Sequence, residues 1–269
     1  MKKILKLIAL ILALVLIVGI AGFADSLVGN PISNHLAVNG TESYLSDQYP
    51  GTDYYIDRTV YNFKDGNYHS FILSLSSVDT AFTVIADKFG RVLYDTFSSV
   101  TAKENTARRL EGEYRELTDT VLNSPSFPYA GDIVFGTLSI YPKQAMEDPH
   151  VTDIPSYAIV QDDLILDKEY DIRTLGAQAG RLVIYVEEDH ISAERAAEIM
   201  LDIKRLMDQV EIPFRVMDFH LVQPLPAEGP RSDVRIDVPE FPYAELYEEN
   251  LIYRIQAYDR ESKQKDMDK

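Results

Sequence analysis

The feature that most constrains this chain is an uncharged apolar segment near its start. The segment runs from Leu7 to Ala24, 18 residues without a charge, and Asp25 follows at once. As a helix it would be about 27 Å long, close to the thickness of the hydrocarbon core of a bilayer. We therefore predict a transmembrane helix here and a water-soluble remainder.

A secretory signal peptide is the alternative interpretation of the same segment. Signal peptides combine a basic start, an apolar stretch of about 7–15 residues and small residues at the cleavage site. Gly22-Phe23-Ala24 fits such a site, and cleavage after Ala24 would leave a secreted protein. Because the apolar stretch is longer than in signal peptides, the sequence favours an uncleaved signal-anchor.

The basic residues near the segment predict its orientation. Lys2, Lys3 and Lys6 precede it, and the first basic residue after it is Arg58. Cytoplasmic flanks of membrane helices are enriched in lysine and arginine. We therefore expect a single-pass protein of the cell membrane, with its N-terminus in the cytoplasm and its bulk extracellular.

The charge and cysteine content limit the function classes. Beyond Ala24 there are 23 basic and 43 acidic residues, a formal net charge of −20. Binding to nucleic acid needs a basic surface, so we expect no nucleic-acid partner. The chain has no cysteine, which excludes disulfides, thiolate nucleophiles and cysteine metal sites.

The pattern of helix, strand and turn signals predicts an α+β protein with two small modules after the membrane helix. We place the boundaries by composition and by proline-rich breaks. The predicted segments are a signal-anchor at 1–24, an α–antiparallel sheet–α module at 25–123, a linker and a β-α-β module at 124–230, and a C-terminal strand, helix and charged tail at 231–269.

The first module begins with a helix signal, because Asn30 is a good N-cap and Pro31 suits the first helical position. We expect Ile32, Leu36, Tyr44 and Leu45 to be the buried face of this helix, although Asn39-Gly40 interrupts it. Strands are predicted at Tyr54–Phe63, His69–Leu75, Ala81–Ala86 and Val92–Phe97. A capping box at Thr101–Glu104 predicts the next helix, with Leu110, Tyr114, Leu117 and Val121 on one side.

The second module contains a β-α-β pattern. Leu182–Val186 is a short apolar strand, Ser192 suits the N-cap of an amphipathic helix, and Phe214–Val222 is the next strand. After the proline-rich segment 224–230, we expect a strand at Val234–Val238 and a last helix.

Several strings resemble the YfjL-like proteins, which are bacterial, usually membrane-anchored, and built of two modules of unknown function. The strings are GNPIS at Gly29–Ser33, YPGTDYYI at Tyr49–Ile56, YNFKDGNYH at Tyr61–His69, YDIRTLGAQAGRLVIYVEE at Tyr170–Glu188, and SAERAAEIMLDIKRLMD from Ser192. The resemblance extends to about residue 223. It implies export and two modules, and it assigns no active-site residue.

Our preferred candidate site is aromatic. Tyr54, Tyr55, Tyr61 and Tyr68 lie on neighbouring predicted strands, and tyrosine is common on surfaces that bind protein or sugar. The alternative is that they are simply strand residues, since tyrosine favours strands.

A secondary candidate is the loop Glu187-Glu188-Asp189-His190, which follows a strand and precedes a helix. A carboxylate beside a histidine is able to transfer protons. The structural alternative is stronger, because acidic residues near a helix N-terminus interact favourably with the helix dipole.

The acidic segment between Gln161 and Ile172 is a candidate calcium site. It contains Asp162, Asp163, Asp167, Glu169 and Asp171, but it lacks the spacing of a calcium-binding loop. His35, His69, His150, His190 and His220 are scattered without a zinc motif. We therefore expect no metal and no cofactor.

Together these patterns predict a membrane-anchored protein that binds an envelope protein or a wall component, and not an enzyme. An envelope hydrolase is the alternative, because two carboxylates brought together by the fold are able to catalyse hydrolysis without a local motif. An acidic calcium-dependent module is a third hypothesis.

Overall fold

The computed structural model describes residues 11–16, 19, 27–226 and 234–267. Most of the predicted membrane segment Leu7–Ala24 lies outside the described residues. Within the described ranges, no helix combines the length and the apolar character that a membrane span requires. The chain divides into two compact units, Met1–Asn105 and Thr106–Lys269, and the predicted α+β class is confirmed.

The first unit packs a long helix on one face of an antiparallel sheet. The helix is α1 (Pro31–Gln48), and the Asn30 side chain accepts a hydrogen bond from the Ser33 amide at 2.8 Å, as its N-cap role predicts. The strands pair in chain order: β1 (Tyr54–Asn62), β2 (Asn67–Ser74), β3 (Ala81–Ala86) and β4 (Val92–Asp95).

The buried face of α1 differs from the predicted one. Ser33, Ala37, Thr41 and Leu45 are buried, whereas Ile32 is 75% exposed and Leu36 is also exposed. The reason is a close approach, because small residues let the helix backbone approach its neighbours.

Gly40 shows how close this approach is. A Cβ atom added at Gly40 would lie 1.9 Å from the carbonyl oxygen of Gly90 in the β3–β4 turn. Gly90 in turn has a φ of +81° and faces the backbone of Leu36. The glycine that weakens the helix pattern in the sequence is therefore required by tertiary contact.

The second unit contains a mixed sheet with the strand order β10-β9-β8-β5. Its strands are β5 (Val134–Leu138), β8 (Gly180–Glu187), β9 (Val216–Val222) and β10 (Arg235–Pro242), and β6 (Ile140–Tyr141) pairs separately with β7 (Ile159–Val160). Only the β8–β9 pair is parallel within the main sheet.

The helices of the second unit are α2 (Glu104–Leu122), α3 (Ile172–Ala179), α4 (Ala193–Gln209) and α5 (Leu251–Met267). Short helices also occur at Ser98–Thr101 and Lys143–Glu147. The predicted β-α-β pattern is present as β8-α4-β9, and the Ser192 hydroxyl accepts from the Arg195 amide at 3.2 Å as N-cap.

Two predictions about α2 need correction. Thr101 does not form a capping box with Glu104, because it ends the short helix and donates its hydroxyl to the Ser98 carbonyl. The structural division also falls near the start of α2 and not at residue 123. Leu110 and Tyr114 are fully buried in a cluster of the second unit, so packing assigns α2 to that unit.

The predicted C-terminal segment 231–269 is also part of the second unit. Its main core is built from β8, β9 and α4, and Ile236, Phe241, Leu251 and Ile255 from β10 and α5 belong to the same cluster. The second module and the C-terminal segment therefore share one core.

Candidate functional site

The four candidate tyrosines do not form one exposed surface. Tyr68 is only 2% exposed, and its hydroxyl exchanges hydrogen bonds with the backbone of Asn30 at 3.0 and 3.2 Å. Tyr61 packs on Tyr68 with 5.2 Å between ring centroids. Tyr54 is half-buried and lies 5.5 Å from the Phe82 ring. These three side chains face α1 and stabilise the fold.

Tyr55 is the one member of the four that is exposed, at 40%. It points to the opposite side of the sheet because side chains alternate along a strand. A prediction based on strand membership missed this separation, since adjacent residues such as Tyr54 and Tyr55 fall on different faces.

The side of the sheet that carries Tyr55 exposes several apolar side chains, although Ile85 on this side is buried at 2% exposure. Strand register places Tyr55 beside Leu73, Arg58 beside Phe71, and Val60, His69, Ile85 and Tyr94 in one row across the four strands. Val60 is 41% and Tyr94 is 55% exposed, and Phe71 and Leu73 are partly exposed. We call these five apolar residues, Tyr55, Val60, Phe71, Leu73 and Tyr94, the open face.

The face that meets α1 contains a carboxylate held by two phenols. The hydroxyls of Tyr44 and Tyr49 donate to one oxygen of Asp95 at 2.6 and 2.7 Å, and the Phe97 amide donates to the other oxygen at 3.0 Å. Burial alone would raise the pKa of Asp95, but these hydrogen bonds outweigh it and the pKa is lowered. Burial and then the Asp95 hydrogen bond raise the pKa of Tyr44 to about 12.

The loop Glu187–His190 follows β8 and precedes α4. Glu188 accepts hydrogen bonds from the Arg195 guanidinium at the first turn of α4, and its amide donates to the Val222 carbonyl at 3.0 Å. These hydrogen bonds raise the pKa of Arg195. Asp189 and His190 are exposed. The loop thus connects β8, β9 and α4.

The acidic segment between Gln161 and Ile172 is used by the local backbone. Asp162 accepts from the Lys143 amide at 2.7 Å, and Asp171 caps α3 by accepting from the Arg173 amide at 3.1 Å. Nowhere in the described part of the chain do three carboxylates or histidines gather in a geometry that would hold a metal ion.

Sequence reasoning missed a histidine–carboxylate pair on the outer face of the second sheet. His220 of β9 and Asp237 of β10 are paired in the antiparallel register, with 2.7 Å between Nδ1 and Oδ1. Because an ionised carboxylate only accepts hydrogen bonds, Nδ1 donates to it. The ring of Tyr185 stacks on the imidazole at 4.1 Å between centroids.

Asp237 is held from several sides. Arg235 Nε lies 2.6 Å from Oδ2, and the Asp237 amide donates to Asp259 at 3.0 Å. Burial would raise the pKa of Asp237, but His220 and then the charge of Arg235 lower it overall. The signal in the sequence is alternation: His220 and Asp237 each alternate with apolar residues, so both face away from the core.

A second charged group lies on the same face. Arg181 of β8 forms an ion pair with Asp218 of β9, and the Glu240 amide donates to the other oxygen of Asp218 at 2.7 Å. Glu240 has a φ of +49° at the irregular β9–β10 pairing. Both oxygens of the buried Asp218 are thus satisfied, which is typical of a structural ion pair.

Comparison with known families agrees with this two-unit architecture. The model of the YfjL-like, N-terminal domain matches residues 3–96, and the model of the YfjL-like C-terminal domain matches residues 113–256. No curated protein and no solved structure matches the chain significantly. The two family models cover most of the chain in the expected order, so the chain belongs to the YfjL-like family.

Proposed function

We propose that the protein is anchored by Leu7–Ala24 in the cell membrane, lies outside the cytoplasm, and binds another protein of the envelope. The position is supported by the length of the apolar segment and by the lysines that precede it. Family membership assigns no activity, so the binding role depends on the surface of the protein.

The open face of the first sheet is the observation that carries the binding role. Soluble monomers rarely expose contiguous apolar patches of large area, and exposed aromatic side chains are enriched where proteins meet. The face of a sheet is broad and shallow. Such a surface suits a protein partner better than a small molecule, which usually binds in a concave pocket. Since the segment after Ala24 carries a charge of −20, we expect a neutral or basic partner surface.

An envelope hydrolase has one observation in its favour, the pair of His220 and Asp237. A general base also needs a group to activate. Among the described residues, no serine or threonine hydroxyl forms a hydrogen bond with His220. The pair therefore supports a structural role more than catalysis, and binding remains our proposal.

The absence of cysteine makes the membrane topology directly testable. In intact cells, an impermeant maleimide should label a Tyr253→Cys variant, because Tyr253 is 72% exposed on α5. A Lys3→Cys variant should be labelled only after permeabilisation. Loss of the Lys3→Cys label from the mature protein would indicate a cleaved signal, and labelling of Tyr253→Cys only after permeabilisation would contradict the proposed position.

The binding role is testable with a photoreactive phenylalanine analogue placed in the full chain in intact cells. Positions 55 and 94 lie on the open face, and position 253 is a matched exposed tyrosine on the second unit. We expect one recurring envelope protein to be captured from 55 and 94 but not from 253. Tyr55→Ala should then weaken capture from 94. Equal capture from all three positions, or no protein capture at all, would contradict the proposal.

A further inference from the structure

The second unit contains a cavity that the proposed binding surface does not use. It lies between α3, the end of α4 and the segments that enter β9 and leave β10. Its volume is about 580 Å³, within the range of small-molecule sites. Its lining includes Arg173, Asp208, Glu211, Phe214, Arg215 and Tyr243.

Part of the cavity wall is apolar. Phe214 and Ile212 are each 2% exposed, and Phe214 meets Tyr243 edge-to-face at 5.1 Å between centroids. Pro213 and Pro242 add two rings with a fixed backbone φ. The apolar part of a ligand would therefore contact a surface that is already formed.

The charges around the cavity favour an anion. Arg173 donates to the backbone carbonyls of Val210 and Glu211 at the end of α4, and its charge also interacts with the nearby Asp171. In the described part of the chain, neither Arg173 nor Arg215 lies within 4 Å of a carboxylate. Both arginines line the same cavity, so their positive charges lie together there.

The two acidic residues of the wall are not equivalent. Asp208 is compensated, since it accepts from Lys204 at 2.5 Å and from the Tyr243 hydroxyl at 2.9 Å. Glu211 is exposed and forms no such ion pair among the described residues. Glu211 is therefore the group that would oppose an anion in the cavity.

We propose that this cavity binds a small organic anion, a carboxylate or sulfonate with an apolar body of about the size of a double ring. The anionic group would contact Arg173 and Arg215, and the apolar body would lie against Phe214, Ile212 and the proline rings. This site is independent of the open face of the first sheet.

Calorimetric titration of the full chain in detergent, corrected for detergent alone, tests the proposal. The probes are naphthalene-2-sulfonate and its neutral analogue naphthalene-2-sulfonamide. We expect the sulfonate to bind about tenfold or more tightly than the sulfonamide, because only the sulfonate carries a negative charge that pairs with the arginines. Equal affinity for the two probes would overturn the proposal.

Variants of the charged residues show where the sulfonate binds and which charges favour or oppose its binding. Arg173→Gln should weaken the sulfonate about tenfold, and Arg215→Gln should weaken it less, whereas Glu211→Gln should strengthen it. The matched control is Arg205→Gln on α4, where Arg205 is exposed and paired with Asp202. No response to Arg173→Gln would also contradict the proposal.

Filling the cavity separates a lost charge from a damaged fold. Ala177→Trp changes an exposed position of α3 at the cavity wall and should abolish binding of both probes. Ala244→Trp serves the same purpose if Ala177→Trp does not fold, as judged by circular dichroism. Sulfonate binding that survives in a folded variant of this kind would place the anion elsewhere and falsify the assignment.

Discussion

The two units each cover one face of a sheet with helix, but they bury different chemistry. In the first unit, Thr41 and Ser70 are fully buried in contact with each other at 3.1 Å, and Tyr44 and Tyr49 hold Asp95. In the second unit, the main core is aliphatic and aromatic, with Ile184, Ile203 and Phe219 at no exposure. The first unit therefore adds these polar contacts to buried apolar residues such as Ile72 and Val84, and the second contains an extended apolar cluster.

The outer and covered sides of the first sheet can be compared in the same way. In β2, Phe71 and Leu73 point outward, while Ser70 lies on the covered side. The covered side also buries Ile72, Phe82 and Val84, so both sides of this sheet carry apolar side chains. The exposed apolar side chains of the outer side support our proposal that the open face meets another protein.

Replacing one phenylalanine in each unit by alanine should show the largest difference in lost stability. Phe219→Ala should destabilise the second unit by about 3–5 kcal/mol, because it leaves a cavity in a close-packed core. Phe71→Ala on the open face should cost less than about 1 kcal/mol, since Phe71 is partly exposed and the Arg58 guanidinium lies over its ring at 4.6 Å. Urea denaturation of the full chain, followed by circular dichroism, measures both, and similar losses would contradict the contrast.

Two helical glycines test the role of close approach. Gly40→Ala should destabilise the first unit by about 1–3 kcal/mol, because its Cβ would overlap the Gly90 carbonyl. Gly112→Ala in α2 should stabilise the second unit by about 0.5–1 kcal/mol, because nothing lies within 4 Å of the added atom and alanine favours helix. Thermal unfolding of both variants gives the signs, and a shared sign would refute this explanation.

The contact of Tyr44 and Tyr49 with Asp95 should give the smallest effect. It should appear as a dependence of stability on pH. The pKa of Tyr44 is raised from 10.0 to about 12 in the folded state. A raised pKa means that its contribution to stability is complete below pH 10 and is lost as the pH rises towards 12. Absorbance at 295 nm should show this late ionisation, and Asp95→Asn should shift it to lower pH. An unchanged titration in that variant would contradict the contact.

Local signals in the sequence were sufficient to predict several of the helices and strands. Asn30-Pro31 predicted the start of α1, and the boundaries of β3 at Ala81 and Ala86 agree with the structure. The β8-α4-β9 pattern and the cap at Ser192 are also confirmed. These features depend on backbone geometry and on local hydrogen bonds, which a short stretch of sequence specifies.

The sites were less predictable because they depend on which face of a strand is covered. The sequence showed that Phe71 and Leu73 share a face, but an apolar face is normally the buried one, and here it is open. The pairing of His220 with Asp237 depends on the register between β9 and β10, which 16 intervening residues do not reveal.

By itself, the sequence determined the α+β class, the order of the strands and helices, the acidic charge and the absence of cysteine chemistry. Periodicity, caps and composition are local or additive properties, so they can be read along the chain. Only the tertiary structure decided that α1 buries its small residues, that α2 packs in the second unit, and that Arg173 and Arg215 line one cavity. These outcomes depend on distances between residues far apart in sequence, which are fixed only when the chain is packed.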